Sequence, residues 1–266
     1  MPTLGVLACE ILELEIAYLL KNDKTISNIF VLNNDAGKGF IKALEKNNSY
    51  HFTLVEYFDK FYPSQKGTLN ILVHILELGL HSSKSKLQQA LVTESHKIGQ
   101  PADALFLGYG LCGNALDDPA TLLSHIDIPF FLPQDKDHTV DDCVGLFIGG
   151  RDSYYEEQLN EAGTFFMTPG WTNHWKAIFE KEFGKNMSIK MAKRIFKHYK
   201  RTLLVTNSVM KEHQMETNIH EFNSLFQCYS DISQGSMDML NDTWQTAKTQ
   251  ALTYPVKYDT QTDKNV

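Results

Sequence analysis

The sequence predicts an α/β fold, with a mainly parallel sheet or sheets that carry helices on both faces. Short apolar runs bounded by turn residues alternate with longer stretches of helical periodicity along most of the chain. Strand, helix and strand in this order imply parallel pairing through right-handed crossovers. The 266 residues, 42% of them hydrophobic, are enough to bury a sizeable core.

The first half of the chain supplies four of the predicted strands. Each is a run such as TLGVLAC or DALFLG that is too short for a helix and rich in apolar residues. Between the strands, apolar residues recur every three or four positions, as helices require. We therefore predict strands at 3–9, 27–33, 103–108 and 126–131, and helices at 10–21, 37–46, 83–98, 117–125 and 142–148.

The second half repeats the alternation after Gly150. The runs TFFM and TLLVTN indicate strands, and a weaker run follows near Cys228. The predicted strands are 164–167, 202–207 and 226–230, and the predicted helices are 152–161, 172–183, 187–199, 210–225 and 235–248. The chain is thus an α/β domain over 1–253, either undivided or split near 150–165 into two similar α/β halves.

Two segments do not follow the alternation. Residues 50–80 are aromatic-rich and poorly periodic, and they hold either a further strand or a cap over the sheet. Residues 254–266 are nearly all polar after Pro255, so we expect a C-terminal tail that frays or is disordered.

Composition excludes several classes of protein. A net charge of −7 and a pI near 5.8 argue against nucleic-acid binding, and the one basic run, 190–201, is typical of a solvated helix face. The longest apolar runs are too short to span a membrane, and the first residues lack a basic leader. We therefore expect a soluble, cytoplasmic protein. Four widely spaced cysteines do not form a disulfide framework, so they pack in the core, act in catalysis or bind metal.

Three of the four cysteines follow predicted strands. Cys9, Cys112 and Cys143 each leave an apolar run for a loop or the first turn of a helix, whereas we assign Cys228 to the core. Ligands of open α/β sheets bind outside the carboxyl ends of the strands, where residues distant in sequence meet. A shared thiolate site is therefore our leading hypothesis, with inert packing thiols as the alternative.

The loop around Cys112 has the composition of a ligand-binding loop. Gly108, Gly110 and Gly113 permit positive φ angles and a close approach of the backbone to a ligand, and Asn114 follows. The alternative is a tight turn around a packing cysteine. Trp171, in the sequence TPGW, is predicted to form an apolar wall of the same cofactor-binding site or simply to pack at a helix start.

Metal binding by these thiols has two forms. Three thiolates and the imidazole of His81 would satisfy tetrahedral zinc, whereas three thiolates alone suit a [4Fe–4S] cluster with one open iron. The sequence does not separate the two. Asp141 or Asp142 is a plausible N-cap that places Cys143 in a first helical turn, where the helix dipole lowers a thiol pKa and the neighbouring carboxylates raise it.

Candidate acid–base groups lie near these cysteines in sequence. Glu10 and Glu13 share a face of the first helix, where they either orient a substrate or interact with the helix dipole. His138 is the third candidate, five residues before Cys143.

The residues quoted above resemble a family of bacterial and archaeal proteins, the domain of unknown function numbered 1638. The resemblance rests on GYGLCGNAL at 108–116, the Asp142–Cys143 pair, TPGW at 168–171, Cys9, and the Leu80–His81 pair, and it spans most of 3–175. The family usually has histidine where this chain has Asp141. Some members of the family resemble neighbours of corrinoid-dependent methyltransferase systems. The resemblance therefore implies methyl or sulfur chemistry at a thiolate-bound metal, with a corrinoid or a methyltransferase as partner.

Two functions remain open from the sequence. The first is a metal- or iron–sulfur-dependent enzyme, a transferase or a lyase, that uses Cys9, Cys112 and Cys143 to act on a small molecule. The second is a non-catalytic protein that binds a metal, a corrinoid or a small ligand in the same pocket.

Overall fold

The computed structural model of the chain describes residues 2–46, 51–58, 69–184 and 188–253. The predicted polar tail at 254–266 lies outside the described residues, as does part of the 50–80 segment. Within these ranges, no helix has both the length and the apolar character that crossing a membrane requires.

The larger sheet contains six parallel strands and confirms the predicted α/β class. Its strands are β1 (Thr3–Cys9), β2 (Ile26–Leu32), β3 (Phe52–Val55), β4 (Leu69–Leu76), β5 (Ala104–Gly108) and β6 (Phe130–Phe131). Their spatial order is β3-β2-β4-β1-β5-β6. After β1 the chain turns toward β2, and after β5 it turns the other way toward β6. This divergence makes the carboxyl ends of β1 and β5 a topological switch point.

A small hairpin and a second sheet follow. The hairpin pairs β7 (Gln134–Asp135) with β8 (His138–Thr139) in antiparallel fashion. The second sheet is parallel, in the order β11-β10-β9, and consists of β9 (Thr164–Met167), β10 (Arg201–Thr206) and β11 (Tyr229–Gln234).

The helices of the described residues cover both faces of the larger sheet and one face of the second sheet. They are α1 (Glu13–Asn22), α2 (Lys38–Glu45), α3 (Lys84–Gly99), α4 (Pro119–Leu122), α5 (Gly145–Ile148), α6 (Gly150–Asn160), α7 (Pro169–Phe183), α8 (Ile189–Ile195), α9 (Glu212–Phe226) and α10 (Asp238–Thr253). Single 3-10 turns span Glu10–Leu12 and Leu80–Ser82.

Alternation along β1 directs side chains into two cores. Leu4, Val6 and Ala8 pack in one core with α1, α2 and α10, whereas Leu7 packs in the other with α3. The first core continues beneath the second sheet through Leu203 of β10, so one core joins the two sheets. A third core, rich in phenylalanine, lies between the opposite face of the second sheet and the helices α7, α8 and α9.

The last helix ties the end of the described chain to its beginning. Trp244 of α10 packs edge-on against Phe106 of β5, with ring centroids 5.5 Å apart. Its indole Nε1 donates a hydrogen bond to Oδ2 of Asp23, just after α1, across 2.9 Å. The chain after Gly150 therefore shares its packing with the first sheet.

The structure differs from the predicted elements in a few places. The 50–80 segment contributes two strands, β3 and β4, and the second is buried at all eight positions in the centre of the sheet. A central parallel strand is covered on both faces, so it lacks the alternation that identifies half-buried strands. The strand predicted at 126–131 is reduced to Phe130–Phe131, and the helix predicted at 187–199 to Ile189–Ile195.

Candidate thiol site

Cys9 is the last residue of β1, in the centre of the carboxyl edge of the larger sheet. The register pairs Cys9 with Leu76 at the end of β4, and Ala8 with Gly108 at the end of β5. The loop that carries Cys112 therefore begins directly beside Cys9. This is the switch-point position where α/β folds bind their ligands.

Backbone hydrogen bonds hold the Cys112 loop against the segment that precedes Cys143. Leu111 N–H donates to Val140 C=O across 2.9 Å, and Gly113 N–H donates to Asp141 C=O across 3.2 Å. At Gly110 a Cβ atom would lie 2.7 Å from the Val140 carbonyl oxygen, so only glycine permits this approach. Two distant cysteine segments thus become neighbours.

Cys112 itself has a strained backbone. Its φ is +51°, and that of Gly113 is +68°. A left-handed conformation costs a non-glycine residue on the order of 1 kcal/mol and persists where the surrounding structure imposes it, often at functional sites. The two hydrogen bonds to residues 140–141 impose it here.

The Asp142 side chain caps the helix that follows Cys143. Its Oδ1 accepts hydrogen bonds from the N–H groups of Val144 and Gly145, at 2.9 and 2.8 Å. These hydrogen bonds agree with one of the two predicted caps, but α5 begins only at Gly145, so Cys143 lies in the turn before the helix and not in its first turn. Trp171, which lines the same cavity, has its side chain near the Cys143 sulfur.

The three cysteines line one cavity of about 320 Å³ between the two sheets. Gly108, Gly110, Gly113, His81 and Trp171 line it as well, so most of the predicted site residues converge here. The cavity contains further aromatic side chains that the sequence interpretation did not single out: Tyr109, Tyr154, Phe165, Phe166 and Tyr199. Tyr109 lies in the sequence GYGLCGNAL, so its place at the site could be predicted from the sequence. The other four aromatic residues lie in segments that carry no local signal of a site.

Burial keeps all three thiols protonated at neutral pH. It raises the pKa of Cys9 to about 11, with a smaller contribution from the Glu10 charge. It raises the pKa of Cys112 to about 12, reinforced by Cys9 and Asp142. Burial also raises the pKa of Cys143 well above its ordinary value, and the charge of Asp142 adds to the increase. A thiolate at this site therefore needs a positive charge beside it.

The hydroxyl of Tyr109 is a buried polar group without a hydrogen-bond partner among the described residues. It faces Cys9, but not in ordinary hydrogen-bond geometry. Burial raises the pKa of Tyr109 well above its ordinary value, with Cys9 and Cys112 adding to the effect. An unsatisfied donor beside two thiols is a potential partner for a sulfur ligand or a substrate.

The three acid–base candidates are engaged elsewhere and do not line the cavity. Glu10 Oε2 accepts the Leu78 N–H across 3.1 Å, and partial burial raises the Glu10 pKa. Glu13 Oε1 lies 2.8 Å from Nε2 of His174. The His138 ring lies beside Asp137, with Nδ1 3.2 Å from its Oδ1. Glu10 and Glu13 thus join neighbouring elements, and neither side chain forms an N-cap hydrogen bond.

The remaining predicted residues have separate positions. His81 is at the cavity with a side chain 40% exposed, and its Nε2 lies 3.7 Å from Oε1 of Glu182. Cys228 packs against the phenylalanine-rich core and does not line the cavity, as expected for a core thiol. Across the described ranges, no three His, Cys, Asp or Glu side chains form a ready-made metal-ligand cluster.

A second, more polar cavity of about 390 Å³ adjoins the first. The two share the lining residues Gly113, Asp142, Tyr154 and Gln158, so they lie along one wall. Asn114, predicted to bind a cofactor, lines this second cavity instead of the first.

Comparison with known proteins identifies the family and provides no function. Residues 75–244 match the family described as "Protein of unknown function (DUF1638)". This range includes Cys112, Cys143 and Trp171, while Cys9 precedes it. No curated protein and no solved structure matches the chain. The match covers more than half of the sequence, and the chain belongs to the DUF1638 family.

Proposed function

We propose that this protein is a metal- or iron–sulfur-dependent enzyme whose cysteines Cys9, Cys112 and Cys143 together hold one centre. The observation that carries the proposal is the convergence of three cysteines from three separate segments on one cavity. Packing cysteines do occur in cores, but these three line a space large enough for a small molecule. The fourth cysteine, Cys228, stays apart from them.

The chemistry of the donor set fits a thiophilic metal. Three buried thiols with raised pKa values lose their protons only when a cation compensates the charge, and a bound metal is such a cation. The unpartnered Tyr109 hydroxyl would then have a sulfur acceptor. Because the side chains do not form a ready-made ligand cluster, loading requires the cysteine side chains to rotate toward a common point.

Zinc and a [4Fe–4S] cluster remain the two alternatives. His81, at the same cavity, would complete a tetrahedral zinc site, and breaking its exposed contact with Glu182 costs little. A cluster would leave one iron open toward the cavity. Either group, when bound, supplies a Lewis-acidic position suited to methyl or sulfur transfer or to a lyase reaction.

The residues of the chain would bind and shield the substrate. The apolar walls that exclude water are provided by Phe165, Phe166, Tyr199 and Trp171. Gly108 and Gly110 accommodate the neighbouring Ala8 and Val140. A Cβ atom at Gly113, by contrast, would meet nothing within 4 Å, so that glycine leaves open space beside the bound molecule.

The second candidate function is a non-catalytic carrier of a metal, a corrinoid or a small ligand. One observation favours it: Glu10, Glu13 and His138 are all absent from the residues that line the cavity. An enzyme would then depend on Tyr109 or on the metal centre itself for proton transfer. A corrinoid or methyltransferase partner would fit either function.

Metal and acid-labile sulfide analysis of the protein purified without oxygen tests the proposal. Iron with equimolar sulfide and visible absorption identifies a cluster, and stoichiometric zinc identifies the alternative. A folded protein that is free of both and binds neither on reconstitution would contradict the proposal. Incubating the loaded protein with a methylated thioether and a free thiol, followed by mass spectrometry, separates a methyl-transfer enzyme from a carrier.

A further inference from the structure

Among the described residues, the polar cavity beside the thiol site is lined by one cation, Arg151, and two carboxylates, Asp141 and Asp142, of which Asp142 already accepts hydrogen bonds from the N–H groups of Val144 and Gly145. Nε of Arg151 lies 3.2 Å from Oδ2 of Asp141. Their side chains are 58% and 45% exposed. An ion pair this exposed contributes little to stability. A ligand that separates the two charges and pairs with each of them therefore loses little binding free energy by breaking the ion pair.

Both charged groups retain hydrogen-bonding capacity. Among the described residues, the Nη atoms of Arg151 and Oδ1 of Asp141 have no hydrogen-bond partner, because the pair is joined through Nε and Oδ2 alone. A guanidinium with free Nη groups binds a carboxylate in bidentate fashion, and a carboxylate accepts from an ammonium group. Asn114 and Gln158 add neutral amides to the same wall.

The adjoining thiol cavity has the opposite character. Among the described residues that line it there is no lysine or arginine, and most of its surface is aromatic or aliphatic. The cavity therefore suits an apolar or sulfur-containing group. The two cavities share the lining residues Gly113, Asp142, Tyr154 and Gln158, so they meet at a common wall.

We infer that the two cavities bind an α-amino acid whose side chain is apolar or contains sulfur. Its carboxylate pairs with Arg151, its ammonium group pairs with Asp141, and its side chain extends along the shared wall to the thiols. The inference deepens the proposed function by naming the substrate class of the same site. Recognition of the amino acid head rests on Arg151 and Asp141 and requires no metal.

Isothermal titration calorimetry of the purified protein tests the inference, with metal content measured on the same sample. The probes are L-methionine, the amine that lacks its carboxylate, and the acid that lacks its amino group. We expect methionine to bind at least about tenfold more tightly than either analogue, since each lacks one charge-assisted pair. A methionine that does not bind, or that binds no better than both analogues, overturns the inference whatever the metal content. Methionine binding to a protein free of metal supports the inference while contradicting the proposed metal centre.

Two variants test whether Arg151 and Asp141 bind the carboxylate and the ammonium group of the amino acid. Arg151→Met and Asp141→Asn should each weaken methionine binding by about tenfold or more. The control is Lys136→Met, which removes a neighbouring exposed ion pair, Lys136 with Asp152 at 2.5 Å, that does not line the cavity. Unchanged affinity in a folded Arg151→Met protein overturns the inference. If a variant fails to fold by circular dichroism, the comparison of the three probes on the unmodified protein decides.

Discussion

Nε2 of His174 lies 2.8 Å from Oε1 of Glu13, which joins α7 to α1. Burial on its own would lower the pKa of His174, but the hydrogen bond and the charge of Glu13, with the charge of Glu10, raise it above its ordinary value. The interaction therefore links α7, which begins in TPGW, to α1, which follows Cys9. Its strength depends on the protonation of His174.

This contact predicts a pH dependence of folding. A histidine with a raised folded pKa stabilises the protein fully below its ordinary pKa of about 6.5, and this stabilisation is lost as pH rises through the folded pKa. His174→Gln should remove that dependence, so urea unfolding should give a smaller loss of stability above neutral pH than in the unmodified protein. His213→Gln, at an exposed position on α9, is the control and should leave the slope unchanged.

Glu15 provides a second pH-dependent contribution. Burial raises its pKa to about 7, although Asn207 Nδ2 donates to Oε1 across 2.9 Å. A carboxyl group with a raised folded pKa destabilises the protein as pH rises from its ordinary value of 4.5 through 7. The unfolding free energy of Glu15→Gln should therefore increase relative to that of the unmodified protein over this range, by on the order of 3 kcal/mol. A difference that stays constant with pH, as expected for the exposed control Glu216→Gln, would contradict this account.

Asp23 should stabilise the junction of α1 and α10. Burial would raise its pKa, but hydrogen bonds from Lys248, Thr25 and Trp244 lower it to about 2. Asp23→Asn should cost about 2 kcal/mol of unfolding free energy at neutral pH. The contribution is present above an ordinary pKa near 4 and is lost as pH falls through 2, so the variant and the unmodified protein should converge in acid. Asp35→Asn, at an exposed ion pair, should have little effect.

Gly170 of TPGW allows α7 to pack on the turn after Cys9. A Cβ atom there would lie 1.8 Å from the carbonyl oxygen of Ile11, which is backbone and has little room to move. Gly170→Ala should therefore destabilise the protein by about 2 kcal/mol or more in urea unfolding. The matched control is Gly99→Ala at the end of α3, where the nearest atom is the Ile128 side chain at 3.6 Å. Equal stability of the two variants would show that the α7 contact is unimportant.

Helices and strands that have a local sequence pattern can be predicted from the sequence. TLGVLAC and DALFLG are short apolar runs, and they became β1 and β5 with Cys9 and the Cys112 loop at their carboxyl ends. The strand β4 has no decisive local signal, because LNILVHIL is continuously apolar and follows a segment without clear periodicity. The two-residue strand β6 is held by its pairing with β5, which no local pattern reveals.

The site was predictable only where its residues carry unusual composition. The glycines around Cys112 and the Asp142 side chain are local signals, and both lie at the site, although the helix after Asp142 begins only at Gly145. Tyr154 and Tyr199 reach the cavity through the packing of α6 and of the segment before β10, which depends on tertiary structure. Glu10 and Glu13 were plausible acids by sequence position, but the partners that engage them, Leu78 and His174, are distant in the chain.

The metal content of two serine variants, prepared without oxygen, tests the three-cysteine centre most directly. Cys112→Ser should lose zinc, or iron and sulfide, because it removes one of three ligands, while circular dichroism should show a folded protein supported by the sheet cores. Cys228→Ser should keep the metal content of the unmodified protein. Full metal occupancy in Cys112→Ser, or metal loss in a folded Cys228→Ser, would contradict the proposed centre.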